Sequence, residues 1–295
     1  MKRGIVLGLL IGAGALSLSV AAFQGRQDAP KVVEVEKLKD NLFMLKGGGG
    51  NTAVFVGTNG VVVDTKLAGW GQVLLDKIKT VTDKPVTTII NTHTHGDHTG
   101  SNNGFPATVD IVAHENTKAN MEKMDAFKGE NAKFLPKKTY KDKLTLGSGK
   151  DRVDLYYFGR GHTNGDTWVV YPALRVMQTG DMFAWKDAPV LDRNNGGSGL
   201  EYADTVGKAL AGVKDVDTLI VGHSPLRKPA ELKEYQQFMT DFVAAVKQAK
   251  SSGKSVEDAA AAIDLSAKYK DYKKERYRAA IQSIYDELQA RSSAQ

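Results

Sequence analysis

The sequence predicts an α/β (α+β) protein, in which short strands lead into helices twice over and a helical region closes the chain. Short runs rich in Val, Ile and Phe, bounded by Gly, Asn and Asp, recur from Val32 to Val221 and have the length and composition of strands. From Pro229 onward apolar residues recur at helical spacing instead,. A third feature says where the chemistry lies. Five of the six histidines fall in three short motifs, and each motif stands just past an expected strand, where a loop can carry function on a rigid scaffold.

The elements follow in order. Lys2 and Arg3 precede an apolar run from Gly4 to Leu16, then the small residues up to Ala22 and a polar stretch. That order reads as a secretory signal peptide over residues 1–22, cleaved after Ala21 or Ala22, with no stable membrane anchor left and a secreted or periplasmic product. The apolar run is short for a span of about 20 residues. A polar linker covers 23–31. Strands are expected at Val32–Leu38, Leu42–Lys46, Thr52–Val56 and Gly60–Asp64, a helix at Gly69–Thr80, and a strand at Val86–Asn91. Thr108–Ala113 reads as a strand and Glu115–Met124 as a helix. Lys141–Leu146 and Arg152–Phe158 follow as strands, and Thr167–Tyr171 with Leu174–Thr179 forms a hairpin through Pro172. Ala203–Ala211 is helical and Thr218–Val221 a strand. The closing helices are Ala230–Ser251, Ser255–Leu265 and about 268–291, so the main domain spans 32–251 and a helical extension 252–295.

Composition narrows the function. Charged residues at 25% and hydrophobic ones at 41% are ordinary for a globular chain, and the formal net charge of +6 comes without a concentrated Lys/Arg tract. Such a balance describes a solvated basic surface and gives no nucleic-acid partner. The absence of cysteine removes disulfides and every thiolate ligand, and leaves the chain indifferent to the redox state of its compartment.

The motifs are His93-Thr94-His95-Gly96-Asp97-His98, Gly161-His162-Thr163-Asn164-Gly165-Asp166 and Gly222-His223-Ser224-Pro225, with Thr179-Gly180-Asp181 between the last two. Without thiolates, imidazole and carboxylate are the ligands that suit Zn²⁺. His93 and His95 are two apart on extended chain and can converge on one ion. Asp97 and His98 follow a turn at Gly96 and can serve a second. Seven N/O ligands exceed one tetrahedral ion and suit two with a shared carboxylate, for which Asp181 is the candidate. Two such ions would hold a water between them with its pKa near 7, and Asp97 could orient that nucleophile and shuttle its proton. His114 follows a strand and opens a helix, which suits a cap or a brace for the site rather than a ligand.

These motifs resemble the metallo-β-lactamase superfamily over roughly Val32 to Ser251. The resemblance implies a four-layer αββα sandwich with the metals at its edge. It assigns one ion to His93, His95 and His162, and a second to Asp97, His98 and His223, with Asp181 between. Val61-Val62-Val63-Asp64-Thr65 resembles the family's early strand ending in an aspartate, which makes Asp64 a brace for the metal loop.

Fold does not fix substrate. True β-lactamases of the group place no aspartate at the Asp181 position, so the chain resembles more the glyoxalase II-like and general hydrolase branches. The tyrosine of the lactonases is replaced by Met182-Phe183-Ala184-Trp185, and a glutathione-gripping basic motif is not recognisable. The expectation is therefore an exported hydrolase with two Zn²⁺, iron or manganese being the other ions considered, acting on a small ester, thioester, lactone or lactam. A mononuclear iron sulfur-dioxygenase-like oxidoreductase of the same fold is the alternative. Substrate contacts are expected from Trp185, and also from Trp70, Phe105, Phe183 and the Asn194–Gly197 loop.

Overall fold

Alternate residues of almost every strand face different cores, and that alternation builds the layers. The computed structural model describes residues 30–293, and the expected signal peptide lies outside them. The strands are β1 (Glu34–Lys39), β2 (Leu42–Lys46), β3 (Thr52–Val56), β4 (Gly60–Val63), β5 (Val86–Ile90), β6 (Asp110–His114), β7 (Lys138–Tyr140), β8 (Lys143–Leu146), β9 (Val153–Tyr156), β10 (Trp168–Tyr171), β11 (Val176–Gln178) and β12 (Thr218–Ile220). β1 to β7 form one sheet in sequence order, and the second sheet runs β12-β11-β10-β9-β8.

Leu42 and Met44, Ala53 and Phe55, Val63, Ile90 and Val112 point between the sheets, where they meet Val169, Tyr171, Val176 and Ile220. Their neighbours Phe43, Leu45, Val54, Val62, Ile89 and Ile111 face the opposite way, because successive strand side chains alternate sides. There they pack on α1 (Gly71–Lys79) through Leu74 and Ile78, and on α3 (Glu115–Met121) through Met121. α2 is the single turn Gly96–Thr99. On the second sheet, Trp168, Val170, Met177 and Leu219 face α4 (Tyr202–Gly212), α5 (Pro229–Ser251), α6 (Val256–Ala262) and α7 (Tyr277–Ser293). Three cores between four layers give the αββα sandwich. Strands buried on both faces read as near-continuous apolar runs, which is why they were visible in the sequence.

The strand ends place the site. β4, β5 and β6 are parallel, and so are β11 and β12. Asp64, the Thr92–His93 segment, Asp181 and His223 therefore all follow the C-terminal ends of strands at one edge. Asn51 ties the sheets there: its N–H donates to the Gly222 carbonyl at 2.7 Å and its side chain to those of Val221 and Ser224. Among the described residues no helix is long and apolar enough to cross a membrane.

The sequence expectation fails at the last helix, which begins at Tyr277 and not near Lys268. Tertiary packing overrides helical spacing in the preceding segment. Tyr269 and Tyr272 stack around Phe238 at ring-centroid distances of 5.2 and 4.5 Å, and the Lys273 N–H donates to the Lys186 carbonyl. In a continuous helix the Lys273 N–H would be spent on the carbonyl four residues earlier and could not reach Lys186. The short strand β7 was also missed, its three residues being too few to show alternation. The helical segment beyond residue 251 shares the core of the second sheet, since Ile281, Ile284 and Tyr285 sit with Trp168 and Tyr202.

Phe238 is the hub of that aromatic cluster and is fully buried. Phe238→Ala is expected to cost about 3–5 kcal/mol, read as a lower urea midpoint, and to loosen the 265–276 segment in hydrogen exchange. A midpoint within error of the parent would show that this cluster does not hold the C-terminal region.

Candidate metal centre

Four of the five histidines of the cluster are aimed by a partner on the outward nitrogen. His98 Nδ1 lies 2.7 Å from Asp64 Oδ2. The same oxygen accepts from Thr92 Oγ1 at 2.8 Å, and the other carboxylate oxygen accepts from the Thr92 N–H. With its hydrogen spent on Asp64, Thr92 Oγ1 accepts from His93 Nδ1 at 3.0 Å. His162 Nδ1 donates to the Val190 carbonyl at 2.7 Å, and His95 Nε2 to Asp192 Oδ2 at 2.7 Å. These outward bonds set the tautomers. They leave His93 Nε2, His95 Nδ1, His98 Nε2 and His162 Nε2 facing inward.

The inward atoms form two sets. His93, His95 and His162 make one, with His162 Nε2 only 2.9 Å from His95 Nδ1. Asp97, His98 and His223 make the other. In it His223 Nε2 is 3.1 Å from Asp97 Oδ2 and 3.3 Å from His98 Nε2. Asp181 stands between them, its Oδ1 3.4 Å from His98 Nε2 and its Oδ2 3.3 Å from His223 Nε2 and 3.7 Å from His162 Nε2.

This arrangement fits divalent cations. Two imidazole lone pairs 2.9 Å apart repel unless a cation or proton lies between them. His93 Nε2 and Asp181 Oδ1 are buried without a hydrogen-bond partner, a costly state that coordination would relieve. The backbone leaves room for nothing else. A Cβ on Gly222 would lie 1.8 Å from Asp181 Oδ1, and one on Gly50 would lie 2.1 Å from the His98 ring. Glycine at both positions lets the two loops close on the ligands.

Protons show the same electrostatics. Burial works against the charged form of His223, yet its bonds to Asp181 and Asp97 raise its pKa to about 9. Burial likewise opposes the Asp181 carboxylate, and His98, His223 and His162 overcome it, holding it well below the usual range. Asp97 is held down against burial by His223 and His98.

Two features of the frame carry strain or buried charge. Asp64 and Lys66 both adopt left-handed φ, 65° and 73°, a conformation that costs a side-chain-bearing residue of order 1–3 kcal/mol. The Lys66 ammonium is fully buried and donates to the carbonyls of Leu45 and Gly50 at 2.6 Å each. Burial brings its pKa down to about 7, against the pull of Asp64 and Asp97. It clamps the glycine loop 47–50 that lies on Asp97 and His98.

The seven expected ligands are thus brought together, with Asp64 braced against His98. His114 is not: it caps α3 by accepting from the Asn116 N–H, donates to the Lys141 carbonyl and stacks on Tyr157 at 4.0 Å. Trp185 lies beside the centre, its ring 5.4 Å from that of His223. Phe105 and Phe183 are core residues, buried on opposite sides of the sandwich, because their backbones turn them inward. Trp70 covers Gly48, where a Cβ would meet its ring at 2.2 Å. In the Asn194–Gly197 loop, Asn195 serves Asp192 by donating to both its oxygens.

Asp192 itself was missed, and the adjoining Asn194–Gly197 loop was expected at the substrate and not as a support for the ligands. Burial raises its carboxyl, and the bonds from His95 and Asn195 bring it below the ordinary range. The loop is held from the C-terminal helix. Glu287, buried, accepts from Ser198 Oγ at 2.5 Å and from the N–H groups of Gly199 and Leu200, and Ser283 donates to the Leu191 carbonyl. An aspartate 97 residues from its histidine leaves no local pattern to read.

The profile of the metallo-beta-lactamase superfamily matches residues 45–223, more than half of the chain. A curated relative, the metallo-beta-lactamase type 2 of Elizabethkingia meningoseptica, is 26% identical over 259 residues, covering 82% of this chain and 95% of that protein. Among solved structures, a metallo-beta-lactamase from Pontibacter korlensis is similar with a TM-score of 0.60 at 18% identity, over 71% of this chain and 99% of that one. The inverting sec-alkylsulfatase Pisa1 from Pseudomonas sp. reaches 0.71 at 14% identity, over 87% of this chain and 50% of that one. At such identities the structures show a shared fold. The chain belongs to the metallo-beta-lactamase superfamily and is a metal-dependent hydrolase.

Two outcomes follow. Below pH 9 a cation entering the second set must displace the His223 proton, and also that of His98, whose pKa Asp181 and Asp64 raise well above 6.5 against burial, so affinity there falls by about tenfold or more per pH unit as pH drops. Proton release on zinc titration in weak buffer, smaller in His223→Ala than in the parent, checks this. The metal-free protein has the opposite dependence. The His223 pKa is raised from the ordinary 6.5 to about 9, so its stabilising contribution is whole below about 6.5 and lost as pH rises through about 9. Secondly, Asp192→Ala is expected to weaken one metal site by about 10–100-fold in chelator competition. His114→Ala should leave metal content near that of the parent.

Proposed function

We propose that the chain is an exported binuclear zinc hydrolase that cleaves a small ester, thioester, lactone or lactam. The observation that carries this reading is the pair of inward-facing ligand sets sharing Asp181. Three imidazoles on one side and two imidazoles with a carboxylate on the other are donor sets that zinc favours over harder ions. His93, His95 and His162 would hold one ion, and Asp97, His98 and His223 the other. When bound, the pair would supply a water acidified to near neutral pH and an electrophilic pull on the scissile carbonyl.

The chain's own residues do the rest. Asp97 is partly exposed at the mouth of the centre, where its second oxygen can accept a proton from the attacking water and return it to the leaving group. Asp181 has no exposed face to offer and stays a carboxylate between the two sets. Asp64 and Asp192 hold His98 and His95 through their outward nitrogens, so that no reorganisation is needed during turnover. The relatives named as metallo-beta-lactamases make a lactam the first class to test. Asp181, at the position where the true β-lactamases of the resemblance carry none, supports esters and lactones beside it. The signal-like first 22 residues support export.

The test is elemental analysis of the mature protein, started at Phe23, beside a panel of chromogenic esters, thioesters, lactones and cephalosporins. About two zinc ions per chain and hydrolysis abolished by chelator are expected. One iron per chain with no hydrolysis would overturn the proposal in favour of oxygen chemistry. Asp97→Asn should lower kcat by two or more orders of magnitude, about 3 kcal/mol or more of transition-state stabilisation. A variant retaining full kcat would remove Asp97 from the proton path.

A further inference from the structure

A cavity of about 520 Å³ opens beside His223, and the C-terminal segment 271–276 builds one wall of it. Ser224, Arg227 and the Trp185–Asp187 segment form the other. That C-terminal wall lies outside residues 45–223, over which the superfamily match extends. The segment is irregular where helical spacing alone predicts helix, and its packing points Arg276 at the centre's rim.

The charges around the cavity are almost matched. Lys186 is held by Glu231, Glu234 and Asp271 at 3.4–3.9 Å. Arg227 pairs with Glu231 at 3.1 Å and Lys273 with Glu275 at 3.2 Å. Arg276 differs. Its guanidinium carbon stands over the Trp185 ring, 3.7 Å from the centroid. Only Nη1 is engaged, at 3.4 Å from the buried Asp187 and 3.8 Å from Glu275. Among the described residues no partner falls on Nε or Nη2. A guanidinium held over an indole, with Nη1 committed and the other nitrogens open, is a fork available to an oxyanion. The indole it rests on stands 5.4 Å from the His223 ring, so a group held on that fork lies within one small substrate's length of the candidate metal ligands.

We propose that this cavity is a substrate subsite and that Arg276, held over Trp185, selects substrates carrying an oxyanion, a carboxylate above all, on the His223 side of the scissile bond. This rests on the hydrolase reading for its substrate but not for its binding chemistry. Because the carboxylates around the cavity slightly outnumber the cations, recognition comes from directed donors and not from a field.

The binding arm uses the zinc-loaded protein and benzenesulfonate, an oxyanion that coordinates zinc poorly, against methyl phenyl sulfone as its neutral match. Calorimetry should show sulfonate binding that is about tenfold or more weaker in Arg276→Gln, with the sulfone bound weakly by both proteins. Arg276→Lys keeps a cation opposite Asp187 should the glutamine variant fail to fold, and loses the planar fork. It too should bind sulfonate several-fold less tightly. Equal affinities across parent and lysine variant, or no sulfonate binding by the parent, overturn the proposal. The kinetic arm compares the carboxylate and methyl-ester forms of each substrate the panel turns over. A parental preference for the carboxylate that collapses in Arg276→Lys supports the subsite, and an unchanged preference overturns it. If nothing is hydrolysed while sulfonate binding still depends on Arg276, the hydrolase reading fails and the oxyanion site stands.

Discussion

The carboxylate of Asp64 organises half of the candidate metal centre. It is fully buried, sits at a left-handed φ, and receives three hydrogen bonds: two from Thr92 and one from His98. Through Thr92 it also fixes His93. One residue at the end of β4 therefore sets the tautomers of a histidine in each ligand set. A buried carboxylate in strained backbone is expensive by itself. The bonds it accepts offset that cost, and they exist only when β4 and β5 lie side by side in register. Sheet pairing, backbone strain and imidazole orientation are one coupled system.

The second sheet completes it from across the sandwich. Asp181 and His223 leave adjacent parallel strands, and Asn51 binds that loop pair to the first sheet. The two halves meet at lone pairs that repel each other in the absence of a cation. Folding therefore builds a site whose polar atoms are short of partners, and the core on either side of each sheet holds them there. This is the usual cost of a preorganised centre, in which stability is given up locally to keep a geometry.

The C-terminal region supports the centre from two sides. Glu287 holds the loop that presents Val190 and Asp192 to His162 and His95. The segment before α7 brings Arg276 over Trp185 beside His223. Tyr277, next to Arg276 at the start of α7, packs on Phe242 and Phe238, so the helical tail meets the body through packing as well as through hydrogen bonds.

Much of this was legible in the chain. Strands buried on both faces announce themselves as apolar runs, and histidines and aspartates gathered at their ends are scarce enough to stand out. The sequence by itself determined most strands and helices and the seven candidate ligands, since these depend on local periodicity and on residue types with few other uses. The layer architecture and the role of Asp64 followed from the resemblance to the superfamily. Tertiary structure alone decided the rest. Asp192, Glu287 and Arg276 are ordinary charged residues in irregular or helical chain, and nothing near them in sequence distinguishes them. Phe105 and Phe183 were expected as substrate contacts and His114 left between cap and brace, because side-chain direction depends on which element packs above. Local pattern fixes what a segment becomes, while long-range packing fixes what its side chains meet, and the support of a buried site is made almost wholly of such meetings.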